Sequence, residues 1–291
     1  MRTEYYKAYN LEDALLKLNE DYENPKLIAG GTDLVIELKN RWISPDLIID
    51  ISDVKELRDS DLSGDIIELG SMKTFTEIEN MNFNKNMQSL NRAAKSVGSP
   101  QIRNRGTVGG NICNGSPAAD MVPPLLALDS VAVIESEDGK REMKLEDVFL
   151  DKGKTVLKKN EILSKIKFAK LKDNEYLSFS KLGLRNALAI SRICTSVYIK
   201  MDEKKICDIR IANGALGKYG IREKNAENQL RGKLLNEDLI REAMEIMSRE
   251  VDERLQGRFS AEYKVEAIKG TINKALYEAL NYFLEESWCE N

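Results

Sequence analysis

The sequence predicts an α+β chain, and three observations predict it. Stretches patterned as strands are mixed with amphipathic helices, without strict strand–helix–strand alternation. The length of 291 residues is a soft prior for about two domains of ~150 residues each. Asp173-Asn174-Glu175 places three polar turn-formers together, which marks a boundary between them.

The elements follow in order. Asn10 can cap a first helix on which Leu11, Ala14, Leu15 and Leu18 share a face, with Asp13 in its first turn. Asn24-Pro25 breaks the chain. Lys26 to Ala29 then reads as a short buried strand, Gly30-Gly31-Thr32 as a tight turn and Asp33 to Arg41 as a helix. Leu47 to Ile51 and Ile66 to Ser71 are further strands. A long glycine-bearing stretch runs from Val97 to Pro124 and is expected to be irregular. Ser130 to Glu135 and Glu161 to Phe168 are strands, with a turn at Asp138-Gly139. Beyond the boundary come strands at Tyr176–Leu182, Ile193–Met201 and Ile206–Ala212. Two helices close the chain. One starts after Asn236 and buries Leu239, Ile240, Ala243, Met244, Met247 and Val251; the other carries Ile268, Ile272, Leu276 and Leu280.

Composition excludes several kinds of chemistry. Lys and Arg number 44 against 48 Asp and Glu, a net charge of −4, and histidine is absent. That balance argues against a general nucleic-acid binder, which needs a basic surface. Without histidine there is no Ser-His-Asp or Cys-His unit and no HExxH zinc site. If the chain is an enzyme, its hard chemistry belongs to something other than a side chain. Cys113, Cys194, Cys207 and Cys289 form no CxxC pair, which argues against an iron–sulfur cluster or zinc ribbon held by this chain alone. No uncharged apolar run reaches the ~18 residues of a membrane span. The start, MRTEYYKAYN, has no apolar signal region, so the expected location is the cytoplasm, away from nucleic acid and membrane.

Two glycine loops stand out. In Ala29-Gly30-Gly31-Thr32-Asp33 adjacent glycines permit positive φ and remove Cβ atoms. Backbone N–H groups at the helix start can then face an anion such as a pyrophosphate. Alone, such a pair is more often only a turn. The second loop runs from Thr107 to Asp120, TVGGNICNGSPAAD. It can offer backbone donors and small hydroxyl or amide groups to an extended polar ligand; the alternative is a long structural loop. Asp120 would repel phosphate and suits bonds from hydroxyls or a ring N–H. No GxGxxG fingerprint occurs, and Gly153-Lys154-Thr155 fails as a P-loop because Val148 stands where its first glycine belongs.

These two loops, in this order, resemble the FAD-binding subunit of the molybdenum hydroxylases. That family includes the medium subunits of bacterial xanthine, nicotinate and carbon monoxide dehydrogenases. Ala29 to Leu34 (AGGTDL) is similar to the family's first FAD loop. Thr107 to Asn111 (TVGGN), with Ser116-Pro117 and Asp120, is similar to its second. Gly98 to Arg103 and Lys181 to Arg192, with Arg185-Asn186-Ala187 and Ala189 between, also resemble it.

The resemblance implies a two-part FAD-binding fold of the vanillyl-alcohol-oxidase type over residues 1–172, divided near 55. It implies a small C-terminal α+β domain of the carbon monoxide dehydrogenase flavoprotein type over 173–291. It further implies non-covalent FAD held by Ile28, Ala29, Gly30, Gly31, Thr32, Asp33 and Leu34 on one side. Thr107, Gly109, Gly110 and Asn111 would hold the other, with Asp120, Leu163 and Lys181 also at the cofactor. The implied role is electron relay, without a catalytic side chain or a metal in this chain. An iron–sulfur small subunit would deliver electrons from a molybdopterin large subunit, and FAD would pass them to NAD⁺ or a similar acceptor. The implied assembly is a dimer of heterotrimers or similar. A xanthine dehydrogenase-type hydroxylase is the first expectation; nicotinate or carbon monoxide dehydrogenase, or a self-sufficient flavin oxidoreductase, are the alternatives. Val97 and Ile102 stand where some relatives place an aromatic residue near the ring. Arg103, Arg105 and Arg185 either meet NAD phosphates or partner subunits or are solvated.

Overall fold

The structure, a computed structural model, describes residues 3–183 and 190–289. Arg185, Asn186, Ala187 and Ala189 lie outside the described residues. The chain forms two compact units that interleave in sequence. The first comprises Met1–Ile78, Ser99–Gly115 and Ser130–Lys170; the second comprises Glu79–Gly98, Ser116–Asp129 and Leu171–Asn291.

The first unit opens with a strand the sequence reading leaves out, Glu4–Lys7. Its sequence, EYYK, has only the β-propensity of two tyrosines to mark it. The helix Leu11–Leu18 follows, and the Asn10 side chain accepts from the Asp13 N–H as expected. Strands Pro25–Ile28 and Leu47–Asp50 complete a parallel sheet in which Leu47–Asp50 is central. Over residues 4–50 the chain therefore does alternate strand and helix. Leu47, Ile49, Ala14 and Leu18 bury here with Val54 and Leu57.

A second, antiparallel sheet of the first unit orders Ile66–Gly70, Ile162–Ala169, Val131–Ser136 and Gly139–Lys144. The edge strand Gly139–Lys144 exposes most of its residues, where the sequence predicts only a turn at Asp138-Gly139. Its charged sequence, GKREMK, has no apolar face to betray it.

The stretch expected to be irregular is partly helical. Within it lie the short helices Pro100–Arg103, Val108–Cys113 and Val122–Ala127. Each has a local cause. Ser99 caps the first, with Pro100 at its start, and Thr107 caps the second. All six residues of the third are buried. Its prolines occupy the first turn, where no intrahelical N–H is lost.

The second unit is built on an antiparallel sheet of Glu175–Gly183, Ser191–Asp202, Lys205–Gly214 and Ile221–Arg222. Helices Glu237–Leu255 and Ala261–Cys289 pack against one another and bury Leu239, Ile240, Met247, Ile268, Ile272 and Leu276. Asn236 caps the first of them, accepting from the Leu239 N–H. No described helix is long and apolar enough to cross a membrane.

A buried polar chain crosses this core. Thr271 and Asn213 both meet Thr195; Asn213 donates to Glu223, which Arg254 grips with two guanidinium nitrogens. Glu250 lies beside this pair and accepts from Asn225. Burial, opposed by Asn225 and reinforced by the charge of Glu223, raises the Glu250 carboxyl to about 7. The folded protein therefore holds a proton that the unfolded chain releases near its ordinary value of 4.5. Stability contributed by this site falls as pH rises through that window. E250Q is expected to raise the melting temperature by about 2–4 °C at pH 8, on the order of 1 kcal/mol after allowing for solvent screening. Thermal unfolding of both proteins at several pH values checks it. A difference that does not grow with pH contradicts it.

Candidate cofactor-binding site

In the first unit the two glycine loops meet through their backbones. A Cβ on Gly30 would stand 1.9 Å from the Arg105 carbonyl oxygen and 3.0 Å from the Gly106 nitrogen. Only hydrogen fits there. Gly31 has φ +73°, the left-handed region that glycine enters at no steric cost. Ile28 ends the central strand's neighbour and Ala29 follows it, both half-buried.

The helix Leu34–Lys39 then begins without a side-chain cap. Asp33 stands at the cap position, but its carboxylate lies 3.4 Å from the Thr32 hydroxyl and accepts no helix N–H. Among the described residues, the backbone N–H groups from Gly30 to Leu34 donate to no protein acceptor. Unsatisfied donors at a helix start require water or a ligand, and their partial positive charge favours an anion.

The second loop is organised differently. The Val108 N–H donates to the Lys73 carbonyl at 3.0 Å and that of Gly109 to Ser71 at 2.8 Å. The Thr107 hydroxyl accepts from the Gly110 N–H at 3.1 Å. These helix-start donors are therefore engaged within the protein. A Cβ on Gly109 would stand 2.6 Å from the Ser71 Cβ, so this glycine permits close packing. Gly110 is open by comparison: its Cβ would meet only the Thr107 hydroxyl oxygen, at 3.0 Å. The Asn111 amide oxygen is buried and has no hydrogen-bond partner. Leu163 is buried in the antiparallel sheet opposite Ile134.

Asp120 and Lys181 belong to the second unit, where they form a buried ion pair. The Lys181 Nζ donates to Asp120 Oδ2 at 2.6 Å and to the Ser96 carbonyl at 2.7 Å. The Ser191 hydroxyl donates to the other Asp120 oxygen. Asp120 is 5% exposed. Burial pushes its carboxyl above the usual range, while the Lys181 ammonium and the Ser191 hydroxyl pull it back. The Cys194 thiol, fully buried alongside, is pushed well above its usual value by burial and the Asp120 charge. Both Asp120 oxygens thus have partners inside the unit. Val97 and Ile102 fall on different units, and Ile102 lies in the helix Pro100–Arg103.

Several participants escape sequence reasoning. Ser71 and Lys73 act through carbonyl oxygens, as do Arg105 and Ser96, and a carbonyl leaves no mark in a residue type. Ser191 lay within a stretch of family resemblance, but its contact with Asp120 spans 71 positions.

Two outcomes test this geometry. G30A should destabilise the chain by about 1–3 kcal/mol or more, because the clash is with backbone that has no rotamer to escape into. K181M should cost about 3–5 kcal/mol by stranding a buried carboxylate, and D120N/K181M should recover part of that loss. Urea unfolding measures both. A G30A protein as stable as wild type contradicts the first, and a double variant worse than K181M contradicts the second.

Known proteins carry the same organisation. Residues 1–170 match the family described as the FAD binding domain in molybdopterin dehydrogenase. Residues 178–279 match the CO dehydrogenase flavoprotein C-terminal domain. The nicotinate dehydrogenase FAD-subunit of Eubacterium barkeri is 36% identical over 285 residues, covering 96% of each chain. The xanthine dehydrogenase FAD-binding subunit of Escherichia coli O157:H7 is 33% identical, covering 95% of each. The solved carbon monoxide dehydrogenase from Hydrogenophaga pseudoflava superposes with a TM-score of 0.87 at 26% identity, over 97% of this chain and 98% of that one. The chain belongs to the FAD-binding medium subunits of the molybdenum hydroxylase family.

Proposed function

We propose that this chain carries FAD as the electron relay of a molybdenum hydroxylase acting on a nitrogen heterocycle. The observation that carries the flavin assignment is the row of unpartnered N–H groups from Gly30 to Leu34. Neutral, preorganised donors of that kind match a pyrophosphate, which a cluster of lysines would also bind but without shape. The open surface at Gly110 leaves room for the cofactor at the second loop, and the orphaned Asn111 oxygen, an acceptor, suits a hydroxyl or ring N–H of FAD and not its phosphates.

Each part of the chain then has a task. Residues Ile28 to Leu34 bind the pyrophosphate through backbone donors. Thr107 and Gly109 hold the helix Val108–Cys113 against Ser71, so that Gly110 and Asn111 present a fixed wall. Leu163 supplies an apolar contact, and Asp120 and Lys181 are the residues that the family resemblance assigns to the cofactor. FAD, when bound, supplies reversible electron transfer that no side chain here can. We assign iron–sulfur and molybdopterin partner subunits as the electron source and NAD⁺ as the acceptor. The heterocycle assignment is supported by the nicotinate and xanthine dehydrogenase relatives.

The test is flavin occupancy with and without a wall at Gly110. The purified chain, supplied with FAD, should show flavin absorbance at one equivalent. G110A should keep its fold to within about 1 kcal/mol, since its Cβ meets one movable hydroxyl. It should lose at least about tenfold in FAD affinity, or about 1.4 kcal/mol. Full affinity in a folded G110A protein contradicts the assigned pose; no flavin in the wild type contradicts the function.

A further inference from the structure

One end of the second unit carries cations that nothing above uses. Strand Ser191–Asp202 runs antiparallel to Lys205–Gly214, with Cys194 opposite Gly214. Arg192 and Ala215 therefore fall at the same end of the sheet. The Lys264 ammonium reaches that end and donates to the Ala215 carbonyl. Arg258 belongs to the turn between the helices Glu237–Leu255 and Ala261–Cys289. Among the described residues, no carboxylate lies within ion-pair distance of Arg192, Arg258 or Lys264.

Arg192 and Arg258 are exposed, so this end of the unit presents positive charge to solvent on a chain whose net charge is −4. Burial lowers the Lys264 ammonium below its ordinary range, and the charges of Arg258 and Arg192 lower it further. The three cations therefore share one electrostatic neighbourhood. Two exposed aromatic residues adjoin two of these cations in sequence. Phe259, beside Arg258, is fully exposed at 107%, and Tyr263, beside Lys264, is 50% exposed.

We propose that this end of the second unit, Arg192, Arg258, Phe259, Tyr263 and Lys264, docks an acidic, partly apolar face of a partner subunit. The proposal rests on the reading of this chain as one subunit of a hydroxylase. Charge complementarity selects the occupant: arginines with no ion-pair partner among the described residues favour a carboxylate-bearing face, and aromatic residues with arginine are the side chains that anchor interfaces. A second copy of this chain would bring the same cations to a two-fold contact and repel. A dinucleotide needs a concave site that covers most of its surface, whereas the Phe259 ring projects into solvent.

The test uses the full chain, co-expressed with the iron–sulfur and molybdenum subunits of its own complex. Wild type, R192E/R258E and R258E/F259S are compared for subunit association across ionic strength, with FAD content and melting temperature recorded for each. Both variants should associate at least about tenfold more weakly at low salt, with flavin content and melting temperature unchanged. The wild-type affinity should fall with salt more steeply than that of R192E/R258E. Unchanged association overturns the proposal. So does a flavin-loaded wild type that joins neither subunit. A wild-type chain that dimerises alone and is made monomeric by the variants assigns the face to a second copy instead. A raised KM for NADH with intact assembly assigns it to the dinucleotide. Absence of flavin from a wild type that still assembles through this face would sink the FAD reading and leave the docking face standing.

Discussion

The contact on which the first unit's site depends is the approach of Gly30 to the Arg105–Gly106 backbone. Two segments more than 70 positions apart are held at a distance that excludes a single methyl group. Because the contact is backbone to backbone, side-chain rotation has no means to relax it. The strand Pro25–Ile28 delivers Gly30 to that point, and the Ser99-capped turn delivers Arg105. With both segments pinned, the N–H groups from Gly30 to Leu34 stay unbonded to the protein among the described residues. Preorganisation of that kind spares a ligand the cost of ordering the loop.

The two loops divide the work. The first leaves its donors open, and the second consumes its own on Ser71, Lys73 and Thr107. Rigidity in one supports availability in the other. The second unit uses a different currency, a buried carboxylate and ammonium held by Ser96 and Ser191. Such a pair adds little net stability against an apolar substitute, although breaking it by removing one partner is costly. The absent histidine fits this design. For the proposed role, backbone donors and glycines can hold a cofactor without moving protons.

Much of the fold was legible in the sequence because its signals are local. Asn10 and Asn236 announce their helices by a cap followed by an apolar stripe. The strands of the second unit show their buried runs plainly. Glu4–Lys7 and Gly139–Lys144 were not legible, because one is short and the other is a charged edge with no buried face. The helices inside the glycine-rich stretch were hidden for another reason. Ser99 and Thr107 cap two of them locally, but Val108–Cys113 is also held by the Ser71 and Lys73 carbonyls and Val122–Ala127 by burial of Leu125 and its neighbours, which single-residue propensity does not record. The glycine pairs were readable as a ligand loop only together, and AGGTDL with TVGGN carried the family. Which carbonyls close the site, and that Asp120 meets Lys181 and Ser191, required the folded chain.

In the proposed mode of binding, Gly30 to Leu34 hold the cofactor by its pyrophosphate more than by its ring. Titration of the flavin-free chain with FAD and with FMN, followed by flavin fluorescence, measures that directly. FMN keeps the isoalloxazine but lacks the pyrophosphate linkage. FAD should bind stoichiometrically and FMN at least about 100-fold more weakly, roughly 2.7 kcal/mol. Equal affinity for the two flavins would contradict it.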